Sequence, residues 1–330
     1  MGAHRASMPI IESKNICKNF VKTRFNFGDV FHPDKEIKEA VKDLAVSIEE
    51  GEFIGFLGPN GAGKTTFLKI LSGIIHPTSG EAKVLGYVPW ERKYNYLRQI
   101  SIVMGQKNQL WWDLPAIDSF KMLKEVYGIS NLRYKKNLEL LIDTMDMGSI
   151  VNNRLRSMSL GERMKCELAA SLLHDPKVIF LDEPTIGLDV ISAKAIRSFL
   201  SKINKEKKTT MILTSHYMGD IEELCKRVII INSGMKIYDG GLSVLRDKYA
   251  PEKCINITLS SVDEKKKFAS LKCKKNIFNN VGTISAKKDE IGKLAQDVFS
   301  LFSPDNITIT EQEIEEIITK IFESKSEIIG

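Results

Sequence analysis

The feature that most constrains this chain is the glycine-rich run at residues 58–66, which reads GPNGAGKTT. A short apolar stretch at residues 52–57 precedes it and predicts a buried parallel strand. Residues 65–71 follow with a helical pattern that Ser72 and Gly73 end. Glycines between a strand and a helix let backbone N–H groups converge on one point, where the helix N-terminus adds partial positive charge. This arrangement favours a bound triphosphate.

The residue types in this run fit the P-loop template. We expect Lys64 to reach the β- and γ-phosphates of the nucleotide and the Thr65 hydroxyl to hold Mg²⁺. A chance glycine-rich turn is the alternative, and the strand and helix that flank the run argue against it. The residues predicted to bind the nucleotide here are Gly58, Pro59, Asn60, Gly61, Ala62, Gly63, Lys64, Thr65 and Thr66.

Length and composition indicate a folded protein of more than one domain. The 330 residues are 43% apolar and carry a formal net charge of +6 that is spread along the chain. A chain of this length can bury a full core and predicts one large domain with a smaller one. The charge gives little support for a nucleic-acid groove. The five cysteines are an odd number without a C-x-x-C pair, which predicts reduced thiols.

The N-terminus shows no targeting signal. Residues 1–9 lack the apolar core of a signal peptide, and we expect a tail, or an expression remnant ahead of a native start at Met8. No apolar run approaches the roughly 20 residues that a membrane-spanning helix needs. If this protein works at a membrane, we expect other chains to cross it.

Strand and helix patterns alternate from residue 10 to about residue 240, which predicts an α/β domain with a parallel sheet. Two amphipathic helical patterns within about residues 107–165 predict an inserted helical subdomain. Residues 19–39 interrupt a sheet connection, and we favour a surface loop there over a partner-binding element. Residues 241–330 show shorter alternating patterns that predict a small α+β domain, in which clustered lysines form a solvated face.

Residues suited to chemistry follow three of the predicted strands. The glycine-rich run ends one strand, Asp182 and Glu183 end a second, and Ser215 and His216 end a third. Because ligands of parallel sheets bind outside the carboxyl ends of the strands, we expect one site to collect them. Asp182 is suited to hold Mg²⁺, and Glu183 is suited to orient or deprotonate an attacking water.

The sequence SLGE at residues 159–162 precedes another predicted helix. Ser-x-x-Glu at a helix start is a capping box, worth about 1 kcal/mol. Ser159 and Gly161 at a helix N-terminus also offer a second phosphate-binding surface. Because one nucleotide on the P-loop leaves no room for a second such surface in the same chain, we expect this surface to face a neighbouring subunit.

These stretches together resemble the motifs of ABC transporter ATPases. Residues 58–66 look like the Walker A motif, residues 157–162 like the signature motif and residues 178–183 like the Walker B motif. Gln106 stands where the Q-loop glutamine belongs, and His216 matches the switch histidine. Residues 187–189, which end in Asp189, resemble the D-loop. The signature departs from its commonest form, since Leu160 replaces a glycine and Glu162 replaces a glutamine.

The resemblance implies an α/β P-loop NTPase fold of the ABC type that hydrolyses ATP with Mg²⁺. It also implies a head-to-tail dimer, in which each nucleotide lies between the P-loop of one subunit and Ser159 with Gly161 of the other, and Asp189 crosses the interface. Glu183 would activate the attacking water. Gln106 and His216 would sense the γ-phosphate, and Gln106 would contact the metal as well.

An aromatic residue before the P-loop usually stacks on the adenine in this family. Phe20 is the best match for that residue, and Phe25 or Phe27 could substitute for it. The aromatic pair Trp111 and Trp112 lies in a polar loop, where it would either dock a membrane subunit or fill the core of the helical subdomain.

Three stretches resemble the drug- and polysaccharide-exporter branch of the family: the insertion before Ala40, residues 104–120 around the two tryptophans, and residues 307–322. This resemblance implies a second ATPase subunit, which we expect to be a copy of this chain, and separate transmembrane permease subunits. It also implies a peripheral location on the cytoplasmic face of the membrane. A soluble ABC-type ATPase of DNA repair or translation is the alternative, although long heptad insertions and a second cassette are not seen. A nucleotide-binding regulator without hydrolysis is a third alternative. Such a protein would be expected to lack Glu183 or His216, and this sequence contains both.

Overall fold

The computed structural model describes residues 9–24, 34–105, 107–215, 217–249, 252–271, 273, 275–287, 290–303, 306–311, 316–318 and 321. Its contacts divide the chain into two units, Met1–Gly240 and Gly241–Gly330. Among the described residues, we find no helix with the length and apolar character needed to cross a membrane.

Nine strands, seven α-helices and two short 3₁₀ helices (Pro89–Glu91 and Leu155–Ser157) form the described part of the first unit. The strands are β1 (Ile11–Arg24), β2 (Asp34–Ile48), β3 (Phe53–Leu57), β4 (Ser79–Val84), β5 (Ile100–Met104), β6 (Val178–Asp182), β7 (Thr210–Thr214), β8 (Arg227–Asn232) and β9 (Met235–Gly241). The helices are α1 (Lys64–Leu71), α2 (Tyr94–Leu97), α3 (Ala116–Val126), α4 (Asn131–Met145), α5 (Leu160–Leu172), α6 (Val190–Lys207) and α7 (Met218–Leu224).

A six-stranded sheet in the order β5-β6-β7-β3-β8-β9 forms the centre of this unit. The pairs from β5 through β8 are parallel, and strands β3 and β7 are buried along their whole length. Continuous apolar runs suit such strands because helices cover both faces of a parallel sheet. The parallel register places the ends of β3, β6 and β7 at the same edge, since Phe56 and Asp182 both pair with Thr214.

A second sheet of the first unit is antiparallel and has the order β2-β1-β4. The expectation of a surface loop at residues 19–39 is wrong for most of this stretch. Residues 19–24 pair with residues 34–39, so β1 and β2 extend as a long hairpin. Val21 stands opposite Ile37, and both residues are exposed. Because β-branched residues opposite each other across a strand pair favour pairing, this stretch suits a hairpin at the surface.

The second unit, described by itself, contains four strands and three assigned helices. They are α8 (Leu242–Tyr249), β10 (Glu252–Thr258), α9 (Val262–Ser270), β11 (Lys275–Phe278), β12 (Val281–Lys287), α10 (Ile291–Leu301) and β13 (Ile307–Glu311). The sheet order is β11-β12-β10-β13 with antiparallel pairs, which is the split βαβ arrangement. Ile255, Ile257 and Ile284 meet Phe268 and Val298 in its core.

Candidate functional site

A cavity of about 250 Å³ lies where β3 ends and α1 begins. The residues that line it come from the glycine-rich loop, from the hairpin of β1 and β2, and from the end of β6. They are Phe20, Lys38, Ala40, Asn60, Gly61, Ala62, Gly63, Lys64, Thr65, Thr66 and Glu183. The parallel sheet therefore delivers the glycine-rich loop and the residue after Asp182 to one place, as expected from the carboxyl ends of parallel strands.

The loop between β3 and α1 requires glycine at its last position. Gly63 has a φ of 106°, and a Cβ there would lie 2.3 Å from the carbonyl oxygen of Ala40. The N–H groups of the first turn of α1 have no partner within the helix, so they remain for a bound anion. The loop thus presents backbone donors where a phosphate group fits.

Lys64 is 5% exposed and points back along this loop. Its Nζ donates hydrogen bonds to the carbonyl oxygens of Gly58 at 2.6 Å and Pro59 at 3.1 Å. Burial lowers the pKa of the Lys64 ammonium, while the nearby carboxylates of Glu183 and Asp182 act in the opposite direction. A buried cation held by carbonyl oxygens can exchange those bonds for stronger ones to phosphate oxygens.

The Asp182 carboxylate accepts hydrogen bonds from two hydroxyl groups at the edge of the sheet. Its Oδ1 accepts a hydrogen bond from the Thr65 hydroxyl at 2.9 Å and another from the Thr214 hydroxyl at 2.7 Å. Carboxylate and hydroxyl oxygens are the ligand types that Mg²⁺ prefers, and this ion usually keeps waters and binds substrate phosphates as well. The Thr65 hydroxyl and the Asp182 carboxylate therefore provide oxygen ligands that fit Mg²⁺.

Glu183 follows in a strained backbone conformation. Its φ is 54°, in the left-handed region that costs a residue with a side chain roughly 1–2 kcal/mol. The N–H of Glu183 donates to the carbonyl oxygen of Thr214 at 3.0 Å and to its hydroxyl at 3.2 Å, which fixes the turn. The turn directs Glu183 into the lining of the cavity. Strain of this kind persists where the surrounding structure demands it, and it clusters at functional sites.

Phe20 lies on the same cavity from the hairpin side. The residue is 40% exposed, and the ammonium of Lys18 lies 5.3 Å from the centre of its ring. The ring thus presents part of its surface for stacking. The alternatives Phe25 and Phe27 lie outside the described residues, as do Gln106 and His216.

Ser159, Gly161 and Asp189 are not among the described residues that line the cavity. Ser159 is exposed and caps α5, because its hydroxyl accepts from the N–H of Glu162 and its own N–H donates to the Glu162 carboxylate at 2.8 Å. Gly161 is buried against Ser192, whose N–H and hydroxyl donate to the Asp189 carboxylate. The signature and the D-loop thus contact each other within this chain, and the capping box predicted from the sequence is present.

A buried carboxylate that the sequence reasoning missed lies beside the site. Asp220 is fully buried and accepts hydrogen bonds from the hydroxyls of Thr185 and Ser215. It also forms an ion pair with Arg197, whose Nη1 lies 3.0 Å from Oδ1. The Ser215 hydroxyl further accepts from the N–H of Tyr217, so both neighbours of position 216 are held. An acidic residue four positions after a predicted switch histidine was the available signal.

The comparisons with known proteins agree with this geometry. A family model described as ABC transporter matches residues 41–186. The ABC transporter ATP-binding protein NatA of Bacillus subtilis (strain 168) is 33% identical over 232 residues, which are 70% of this chain and 94% of NatA. The linearmycin resistance ATP-binding protein LnrL of the same strain is 32% identical over 227 residues, which are 69% of this chain and 72% of LnrL. Two Dictyostelium discoideum relatives are longer, and the matches span 26% and 30% of their length.

A solved structure shares the fold. The dimeric structure of MJ0796, a bacterial ABC transporter cassette, matches with a TM-score of 0.59 at 25% identity and covers 70% of this chain and 98% of that one. The predicted α/β P-loop NTPase fold of the ABC type is therefore confirmed. With the identity and coverage of NatA, these findings show that the chain belongs to the ABC transporter ATP-binding proteins and is an ATP-binding, ATP-hydrolysing subunit of that family.

Proposed function

We propose that this chain is the ATPase subunit of an ABC exporter and that it hydrolyses MgATP between two copies of itself. One observation carries the proposal. Lys64, Thr65 and Glu183 line one cavity, and Thr65 is hydrogen-bonded to Asp182 at its edge. A cation for the phosphates, an oxygen set for the metal and a carboxylate for the water are the parts that phosphoryl transfer needs.

The side chains take distinct roles in this proposal. Lys64 turns from the loop carbonyls to the β- and γ-phosphates, and the N–H groups at the start of α1 hold the same oxygens. Thr65 and Asp182 would hold Mg²⁺, and the ion would supply positive charge beside the phosphates. Glu183 orients the attacking water and accepts its proton. Phe20 stacks on the adenine, while Gln106 and His216 respond to the γ-phosphate and Gln106 contributes to the metal site.

The dimer follows from the position of the signature. Ser159 is exposed at the N-terminus of α5 and does not reach the cavity among the described residues, so its phosphate-binding surface suits the nucleotide of another copy. The solved cassette MJ0796 is dimeric, which supports the same arrangement here. In this arrangement Gly161 lies with Ser159 on the nucleotide of the other copy. Asp189, which caps the start of α6, reaches across the interface.

The exporter role is supported by one of the relatives. LnrL is named for resistance to linearmycin, and this name supports an exporter role for the present chain as well. Trp111 and Trp112 are 41% and 42% exposed, which contradicts the alternative that they fill a core. Exposed aromatic pairs anchor protein interfaces, so we assign this surface to permease docking. Binding to permease subunits would hold the chain at the cytoplasmic face of the membrane.

Mixed dimers test the proposal. A Lys64→Ala chain lacks phosphate binding at its own loop, and a Ser159→Arg chain blocks the neighbour's nucleotide, so neither has a working site alone. In a mixed dimer both lesions fall in the same composite site, and we expect about half of the wild-type ATPase activity to return. A Ser171→Ala chain mixed with Lys64→Ala is the control for altered packing of α5. No recovery in dimers shown to be mixed would contradict the composite site.

A further inference from the structure

Glu167 is a charged residue in the buried face of α5, where the neighbouring positions are apolar or small. It is 5% exposed. Its Oε1 accepts hydrogen bonds from the backbone N–H of Gln109 at 2.8 Å and of Leu110 at 3.1 Å. Burial raises the pKa of the Glu167 carboxyl, and these two bonds act in the opposite direction. Burial of a carboxyl group costs free energy unless hydrogen bonds replace its lost hydration, and here two backbone N–H groups do so.

The backbone just before these residues is fixed at a different place. The N–H of Gly105 donates to the carbonyl oxygen of Asp182 at 2.8 Å. A Cβ at Gly105 would lie 1.9 Å from the carbonyl oxygen of Glu183, so only glycine permits this close approach. The end of β5 is therefore joined to the edge of the sheet that carries the proposed metal-binding and water-activating carboxylates. Along the chain, position 106 therefore lies between Gly105, which is bonded to Asp182, and Gln109, which is bonded to Glu167.

The residues that follow Leu110 are fixed to the helical part as well. The Arg163 guanidinium, on α5, lies 5.0 Å from the centre of the Trp112 ring. The N–H of Arg156 donates to the carbonyl oxygen of Trp112 at 3.1 Å, and its guanidinium pairs with Asp113 at 3.1 Å. The segment at residues 109–113 is thus attached to α5 and to the turn that leads into it, so displacement of this segment displaces the helix that Ser159 begins.

We propose that Glu167 is a positioning residue: by holding Gln109 and Leu110 on α5, it ties the end of β5 beside Asp182 to the helix that begins at Ser159. This inference rests on the proposed function, because Ser159 matters only if it completes a second nucleotide site. Without the carboxylate, residues 109–110 lose their attachment to α5, and events at the carboxyl edge of the sheet no longer set the position of Ser159.

The test compares Glu167→Ala with Glu167→Gln in the full chain. Glutamine keeps an oxygen that accepts both N–H groups, whereas alanine removes it. Ser171→Ala is the matched control, since it removes another buried polar group of α5 whose hydroxyl bonds within the helix. Amide hydrogen exchange of a peptide covering residues 107–114, without nucleotide, measures the attachment. ATPase kinetics measure its consequence, with kcat and KM determined separately.

We expect amide exchange at Gln109 and Leu110 to accelerate at least about tenfold in Glu167→Ala, because both N–H groups lose their hydrogen-bond acceptor. We expect kcat to fall at least about tenfold, because small misplacements of catalytic groups are costly, while KM changes less than about threefold since the Lys64 loop is untouched. Glu167→Gln should stay within about threefold of wild type in both measurements, and Ser171→Ala should match wild type.

Several outcomes would overturn the inference. Unchanged exchange in Glu167→Ala would show that no attachment exists. Faster exchange with an unchanged kcat would show that the contact stabilises only the local structure and does not affect catalysis. Equal defects in Glu167→Gln and Glu167→Ala would exclude the accepting oxygen as the cause, and an equal defect in Ser171→Ala would indicate general loosening of α5. Failure of the wild-type chain to hydrolyse MgATP would instead refute the proposed function, and the exchange measurement would still decide whether the attachment exists.

Discussion

Replacement of Asp220 by alanine should destabilise the first unit strongly. The carboxylate accepts from the hydroxyls of Thr185 and Ser215, which are each 3% exposed, and pairs with Arg197. Removal of one member of a buried ion pair costs about 3–5 kcal/mol. Each buried hydroxyl that loses its acceptor costs about 1–3 kcal/mol more in isolation. These terms do not add because the three groups share one carboxylate, so we expect a total of about 3–5 kcal/mol.

The Arg197 guanidinium provides a matched control, because it also pairs with Glu223, whose side chain is 44% exposed. Glu223→Ala removes the exposed half of the same ion cluster and should cost about 0–1 kcal/mol. Asp220→Asn keeps an acceptor for the hydroxyls but removes the charge, so its cost should fall between the two. Urea unfolding followed by circular dichroism measures these differences, and Asp220→Ala should lower the midpoint by roughly 1–2 M at an unchanged slope.

If Asp220→Ala and Glu223→Ala differ by less than about 1 kcal/mol, the buried network does not stabilise the unit as described. A second consequence concerns the site, since Ser215 and Tyr217 flank position 216. Under conditions where Asp220→Asn remains folded, we expect its ATPase activity to fall at least about tenfold while Glu223→Ala keeps wild-type activity.

Three further sets of substitutions test other contacts. Gly105→Ala should lower ATPase activity at least about tenfold, because the added Cβ would lie 1.9 Å from a carbonyl oxygen, whereas Gly148→Ala, which meets nothing within 4 Å, should not. Phe20→Ala should weaken ATP binding about tenfold in a titration, and Phe20→Trp should restore it, because base stacking is worth about 1–3 kcal/mol. Replacing both Trp111 and Trp112 by alanine should abolish transport in reconstituted vesicles while basal ATPase activity of the isolated subunit stays within a few fold.

The sequence predicted the central sheet well because its signals are local. The strands β3, β6 and β7 are continuous apolar runs, and the glycine-rich loop lies between a strand and a helix that both read clearly. The capping box at Ser159 was also evident, since the two partners are three residues apart. Interactions between residues of one helical turn or one strand leave a local pattern in the sequence, so they can be predicted from it.

Long-range partners left no such pattern. Asp220 meets Thr185 across 35 positions, and Glu167 meets Gln109 across 58 positions. A carboxylate in a helix reads as a solvent-exposed residue unless its partner is known. The hairpin beyond residue 19 was missed for a related reason, because its stability comes from pairs between two strands whose charged residues, taken singly, suggest a loop.

The role of Glu183 in hydrolysis is tested by a single substitution. Glu183→Gln keeps the shape of the side chain and its capacity for hydrogen bonds but removes the charge and the basicity, while phosphate binding by Lys64 and the loop is untouched. We expect ATP affinity to survive, turnover to fall at least about a hundredfold, and size-exclusion chromatography with MgATP to show a dimer for the variant and mostly monomer for wild type. Hydrolysis by the variant near the wild-type rate would contradict the assignment of Glu183 and the mechanism built on it.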